Sequence, residues 1–567
     1  MALASIVQGE EYFRVALGQG MYTSELPSNI PDGFSAMAYN FVATGDSLEN
    51  RIGIRRSSVD WKVFEQSPGT PTVPEVEKLN IIYHLFPTRY DSNFPAFGWG
   101  SAGALIPSGA SPGSNLNFVR CAGTAGAGDG FMSVSTPSLV LGMCHYRDVV
   151  YFCLSGGGVF KITTFNWGGD AITYSSIPTA NGGVFQGLFT FKDRLWAFNE
   201  SMLYFTDIAP SLGYPETWAF GTNNIPFYGP NGAGRIKKIV PLGNKLLVFT
   251  MAGLYTLIVE GPPASWILRV LDSKSISTTN QCAFESKGII YYINSAGVWA
   301  TNGIYTTKVS GVIEDQFFLG KGFRTHSIVP YEDGMIISVG KLTKHTDQQY
   351  YFDAPNCRIF YTKLDPVAWT EWNIESKSTT PNVLGNRRIC NVYSVSDKIS
   401  TYLNPEPTAY ALMFVTNSSE AVPALSTCQL LVFDGGEDQI VTEANTVLTA
   451  KVNLYLKTKN MDGGNPYNLK QNKRGLLEIF TSEQRHQFIT AWEIDASTSD
   501  GQAIRRTTST DFTVGNGSNL AQIPGMFHYR RCGLIFDADL QTNNTQIKIK
   551  DIAIVQNTER AEFEKVR

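Results

Sequence analysis

Apolar residues along this chain come in short blocks that alternate with polar positions or run uninterrupted, and turn residues cut the blocks apart. One arrangement recurs: an apolar strand, a polar two-residue turn, a second and more apolar strand, then a small turn into a third. It occurs in Leu141 to Cys153 with Val159 to Ile162, in Gly187 to Phe198 with Met202 to Thr206, in Ile239 to Phe249 with Gly253 to Ile258, and in Cys282 to Ile293 with Gly297 to Ala300. A weaker copy is Ser327 to Val339. The turns at Asp148, Asp193, Asn244, Gly288 and Gly334 are 45, 51, 44 and 46 residues apart. A period of this length with three or four strands predicts a β-propeller blade. A helical solenoid would need apolar residues at three- and four-residue steps, which these blocks lack. The second strand of each copy is apolar on both faces, as in Leu246 to Phe249, and so predicts burial between neighbouring blades. Chance spacing in a β-sandwich is the plainer rival.

The expected fold class is therefore all-β, with a propeller of six or seven blades. Degenerate copies are expected in Leu79 to Thr124, including a long Gly/Ser/Pro loop from Asp91 to Thr124, and in Asn382 to Asp434. The expected organisation is an N-terminal arm and hairpin (1–75), a propeller (76–438) and a C-terminal β-domain (439–567). Gly20 to Gly33 is a proline-punctuated extended arm, because a residue preceding proline is pushed out of the helical region. Ala38 to Thr44, Gly45-Asp46-Ser47 and Leu48 to Arg56 read as a hairpin. In the C-terminal part, strands are expected at Val447 to Leu456, Gly475 to Phe480, Phe488 to Ile494, Cys532 to Phe536 and Gln546 to Val555. Glu559 to Arg567 reads as a short helix or a charged tail.

Composition agrees with many short strands: 12% aromatic, 52 Gly and 27 Pro. Hydrophobic residues at 43% and charged residues at 17% exclude a disordered chain. Lys+Arg minus Asp+Glu is 46 − 50 = −4, which argues against a chain-wide basic grip on nucleic acid. No apolar run is long enough for a membrane-spanning helix, so no integral membrane segment is expected. Met1 to Val15 lacks the basic start and apolar run of a targeting signal. The eight cysteines form no CxxC and no zinc spacing, which fits scattered thiols in a chain made in a reducing cytosol.

The search for reaction chemistry returns no catalytic residues, no cofactor-binding residues and no metal ligands. Gly109-Ala110-Ser111-Pro112-Gly113 matches GxSxG, but Pro112 lacks the N–H that an oxyanion hole needs. Gly229 to Gly234 is glycine-rich without matching a phosphate loop. Asp434 to Asp438 is acidic but fails the calcium-loop template. Ser211 to Trp218 approaches the Asp-box of sialidase blades without its Asp and Gly, and reads as a blade loop whose Trp218 packs against the next strand. The basic doublets, such as Arg55-Arg56, Lys237-Lys238 and Arg387-Arg388, read as solvated faces or ion-pair partners.

Tyr22 to Gly33, then Tyr39-Asn40-Phe41, then Gly45 to Arg56 resemble the opening of the tail hub and nozzle proteins of short-tailed phages, the tail tubular protein B-like group. Leu203 to Pro210 with Pro215 to Trp218, Arg358 to Pro366 with Trp369, and Asn472 to Arg474 are similar to segments of the same group. The resemblance implies a propeller projecting from a β-rich platform that both chain ends build. It also implies a non-enzymatic virion protein of the tail: a homo-oligomeric ring, six-fold, below the adaptor protein and beside tail fibres or spikes. That ring would close and then conduct the exit channel through which genomic DNA passes transiently. Gly98 to Gly130 is long enough to serve as a gate in such a channel. The alternative is a propeller that binds or cleaves glycans, which would need two or three carboxylates converging in the central cavity.

Overall fold

The computed structural model describes residues 11–56 (27 excepted), stretches at 86–88, 102–108, 114–121 and 131–137, and 140–558 apart from 148, 155, 167–170, 228–233, 275–276, 278–281, 318–322, 345–349, 353–356, 376–386, 395–409, 418–426, 436, 442–446, 462–469, 483–485, 496–504, 507–509, 530 and 540–544. The chain is an all-β protein, a propeller joined to a strand-rich platform.

Among the described residues, seven four-stranded antiparallel units follow one another, here called blades 1 to 7. Blade 1 is Phe86–Thr88, Ala102–Ser108, Ser114–Cys121 and Phe131–Thr136. Blade 2 is Val140–Tyr146, Val149–Leu154, Val159–Asn166 and Ala171–Ser176. Blade 3 is Gly187–Phe191, Arg194–Phe198, Met202–Phe205 and Asn224–Pro226. Blade 4 is Ile236–Leu242, Lys245–Thr250, Gly253–Ile258 and Ile267–Asp272. Blade 5 is Ala283–Ser286, Ile289–Asn294, Gly297–Thr301 and Thr306–Lys308. Blade 6 is Phe323–Tyr331, Gly334–Lys344, Arg358–Lys363 and Thr370–Glu371.

Blade 7 takes three strands from one part of the chain, Arg387–Ser394, Tyr410–Asn417 and Thr427–Gly435, and its outer strand, Gly53–Arg56, from the N-terminal side. In several neighbouring pairs of blades the first strands lie against one another, which marks them as the inner strands. The second strands are buried as their two-sided apolar character requires: Leu195, Trp196, Ala197, Leu246, Leu247, Val248 and Phe249 all have no more than traces of exposure.

Two sequence expectations are corrected. The long loop placed at Asp91 to Thr124, and the gate placed at Gly98 to Gly130, contain two paired strands of blade 1. Alternation in Asn115-Leu116-Asn117-Phe118 carries the pairing, and the surrounding Gly, Ser and Pro residues masked it. The hairpin at Ala38 to Arg56 is shorter than expected. Phe41–Ala43 pairs with Leu48–Asn50, whereas Gly53–Arg56 leaves for blade 7.

The platform has two sheets. In one, the order is Phe41–Ala43, Leu48–Asn50, Ile547–Thr558, Lys470–Thr481 and Gly517–Tyr529, with Glu11–Ala16 also paired to Ile547–Thr558. The other grows directly out of blade 6: Thr370–Glu371 is joined to Ser35–Tyr39 in parallel, followed by Asn453–Thr458, Arg531–Asp539 and His486–Asp495. One hydrophobic core runs from the platform (Phe41, Leu454, Leu477, Trp492, Phe536, Ile552) into blades 4 to 6 (Phe249, Tyr292, Ile337, Phe360).

Candidate functional site

Some of the residues that carry the sequence resemblance, Tyr39, Asn40, Phe41, Arg51 and Arg358 among them, meet where the platform joins blades 6 and 7. Asn40 follows the strand Ser35–Tyr39 with φ +62°, in the left-handed region that asparagine tolerates better than most side chains. This bend lets Asn40 face three ways. Its Oδ1 accepts the Arg51 Nε–H at 2.8 Å and the Asn373 N–H at 2.9 Å, and its Nδ2 donates to the Asn453 carbonyl at 2.7 Å.

Arg51 is fully buried. Besides Asn40, it donates to Asp438 through Nη1 (2.8 Å) and Nη2 (2.7 Å), to the Ile52 carbonyl (2.9 Å) and to the Asn373 carbonyl (2.8 Å). All five guanidinium N–H groups therefore have acceptors. Asp438 completes its shell with the Ile54 N–H at 3.1 Å, on the outer strand of blade 7. A buried ion pair offsets its desolvation only with geometry this complete.

A second charged layer lies alongside. Arg358 donates from Nη1 to both oxygens of the buried Glu371, at 2.8 and 2.9 Å. Arg388, also buried, holds Glu375 and reaches the Cys357 carbonyl at 3.3 Å. The Tyr39 hydroxyl donates to the Glu375 carbonyl at 2.8 Å. Burial, and then the charges of Glu371 and Glu375, hold the Tyr39 phenol well above its ordinary range, so it stays a donor. Trp372 closes the junction by donating from Nε1 to the Phe41 carbonyl at 2.7 Å.

Polar stitches also join the blades. In blades 3, 4 and 6 the connection between third and fourth strands reaches back to the preceding blade. In blade 3 it is the Asp-box-like segment: Glu216 accepts from the Tyr151 hydroxyl and from Lys161 Nζ in blade 2, each at 2.9 Å, while Arg147 donates to the carbonyls of Gly213 and Ser211. Burial, and then hydrogen bonding to Glu216, hold the Tyr151 phenol far above its ordinary range. Trp218 is buried and stacks on Phe185, just before the first strand of blade 3, at 5.5 Å between ring centres. In blade 4, Lys192 donates to the Val259 carbonyl, and Trp266 packs on Trp196 and Phe205 of blade 3. In blade 6, Trp369 Nε1 donates to the Val309 carbonyl just after blade 5, at 3.2 Å.

Several carboxylates of these layers are committed to structural partners. Asp438, Glu371, Glu375, Glu216 and Asp551 each hold a cation, and Asp193 accepts the Tyr146 hydroxyl at 3.0 Å. Among the described residues no group of three or more His, Cys, Asp or Glu side chains could hold a metal ion, and no helix is long and apolar enough to cross a membrane. Of the motifs weighed in the sequence, Gly109 to Gly113 and residues 229–233 lie outside the described residues. Asp438, at the end of the acidic run Asp434 to Asp438, is the structural partner of Arg51.

The fold and junction define a β-propeller bolted to a platform. No protein-family model matches the chain, and no curated protein matches it in sequence. Among solved structures it is similar to YCF48 bound to D1 peptide (9% identity, 62% of this chain and 92% of that one, TM-score 0.34). It is also similar to the WD40 β-propeller domain of Doa1 (8% identity, 52% and 92%, TM-score 0.25). A third is an exo-β-1,3-galactanase from Phanerochaete chrysosporium with galactose (8% identity, 73% and 95%, TM-score 0.21). These likenesses add nothing to the architecture read from the sheets.

Proposed function

We propose that this chain is a non-enzymatic structural subunit of a short phage tail: a nozzle or hub that assembles as a homo-oligomeric ring, six-fold, beneath an adaptor and lines the path of DNA exit. The observation that carries this reading is the Arg51–Asp438 junction. Two of its residues, Asn40 and Arg51, lie in the segments through which the sequence resembles tail hub proteins, and it commits a buried, fully bonded ion pair to fixing propeller to platform. Such a joint suits a part that must hold its shape under load. The slightly acidic chain suits a channel wall as well, because each cationic phosphate contact adds affinity and would slow passage of DNA.

The glycan-cleaving alternative needs a free carboxylate pair at glycosidase separation, and the carboxylates named above, held by cations and hydroxyls, do not supply it. Co-expression with the tail adaptor, followed by electron microscopy of the product, tests the proposal. Closed rings stacked on the adaptor are expected. A chain that stays monomeric and never enters particles would overturn it.

A further inference from the structure

The outer strand of a blade presents an open backbone edge, and stable β-proteins blunt such edges with charge, proline, short length or a cover. Most outer strands here follow that rule. Asn224–Pro226 and Thr306–Lys308 are three residues long, one ending in proline and the other in lysine. Ala171–Ser176 is mostly polar. Gly53–Arg56 ends in two arginines. Thr370–Glu371 is covered by the parallel strand Ser35–Tyr39.

The outer strand of blade 4 breaks the rule. It is six residues long, Ile-Leu-Arg-Val-Leu-Asp, and pairs only with Gly253–Ile258 among the described strands. Ile267, Leu268 and Val270 are 46%, 38% and 55% exposed, so apolar side chains stand open on both faces. Its start is held rigidly: Trp266, the residue before it, packs on Trp196 and Phe205 and donates to the Gly261 carbonyl at 3.1 Å.

The exposed charge of this strand is Arg269, which among the described residues has no ion pair or side-chain hydrogen bond; Asp272, at the strand's end, is half-buried and accepts the Lys274 N–H at 2.8 Å. We propose that this edge is a strand-addition site for an extended partner segment in which apolar residues alternate with acidic ones, the carboxylates meeting Arg269 on one face and the apolar residues covering Leu268 and Val270 on the other. Main-chain hydrogen bonds to the open edge supply affinity in such pairing, and alternate side chains supply selectivity. Blade 6 already receives a strand of this same chain on its own outer edge. The proposal stands apart from the tail reading, since it concerns the edge and not the assembly that carries it.

The test uses the full chain and two labelled heptapeptides, one alternating valine with glutamate and one alternating valine with lysine, read by fluorescence anisotropy. The acidic peptide is expected to bind at least about tenfold more tightly, since a charge contact worth about 1.4 kcal/mol gives that ratio. Arg269→Glu should invert the preference, and Val270→Pro should abolish binding of both peptides, with near-ultraviolet circular dichroism confirming that each variant is folded. Equal binding of the two peptides, or no inversion with Arg269→Glu, would overturn the proposal. So would a loss of self-association by Val270→Pro in sedimentation, which would make a second copy of the chain the occupant.

Discussion

Arg51 and Asp438 are 387 positions apart in sequence yet form one bidentate contact inside the molecule. Removing one partner leaves a buried charge without compensation, which costs about 3–5 kcal/mol. Asp438→Ala should therefore lower the unfolding free energy by that order, measured by denaturant titration. Arg51→Lys should cost a comparable amount, because an ammonium cannot reproduce the planar fork that five acceptors surround. The double variant should be no worse than the worse single one, since both remove the same network; simple addition of the two losses would show that the residues act separately. The cysteines give a second test. Burial pushes the Cys282 thiol up to about 11 and Cys153 up to about 12. At pH 8 the thiolate fraction of each is about one in a thousand or less. Alkylation followed by mass spectrometry should leave both unlabelled in the native chain and label both in denaturant. The sign for stability follows: holding these thiols neutral costs nothing below the ordinary thiol range, near pH 8.5, and destabilises the fold as pH rises through it. At this scale the sequence was partly legible. Asn40, Arg51 and Gly53 stood inside the family-like segment. Their partner Asp438 did not stand out, because an acidic run beside a strand looks the same whether it faces solvent or a buried guanidinium.

Strands that were long and apolar were readable from alternation, and their turns from period. The fourth strands of blades 3 and 5 were not, because Asn224–Pro226 and Thr306–Lys308 are too short and polar to carry a pattern. Gly517–Tyr529 was missed for a different reason: Gly517, Pro524 and Gly525 interrupt an edge strand that is half exposed. The crossing of Gly53–Arg56 into blade 7 depends on a close approach. A Cβ at Gly53 would lie 2.5 Å from the Glu437 carbonyl oxygen. Gly53→Ala should therefore cost about 1–3 kcal/mol, as overpacked sites do, and a melting temperature equal to that of the parent chain would refute the contact. The segment from Ser211 to Trp218 separates two kinds of stitch. Trp218→Ala should cost about 3–5 kcal/mol as a large buried side chain, whereas Lys161→Ala, which breaks a partly exposed pair, should cost less than about 1 kcal/mol.

Platform and propeller share a continuous core and a buried ionic joint, so the whole molecule should unfold as one body where they meet. Scanning calorimetry of the parent chain should show a single main transition, and Asp438→Ala should split it or lower it as the joint weakens. Two well-separated transitions in the parent chain would show that the joint does not couple the halves. The blade repeat was legible because its period is longer than any one strand and survives sequence noise. The joint was not, because long-range partners leave no periodic trace.

Blade 7 has a consequence for how the chain is made. Its edge strand, Gly53–Arg56, leaves the ribosome long before the strand it must pair with, Thr427–Gly435. An early-made piece thus waits for a later-made seat, and the nascent chain carries an unsatisfied β-segment while the six blades between them are synthesised. Completion of the circle depends on synthesis reaching blade 7: a product truncated before Thr427 leaves that early strand without its seat.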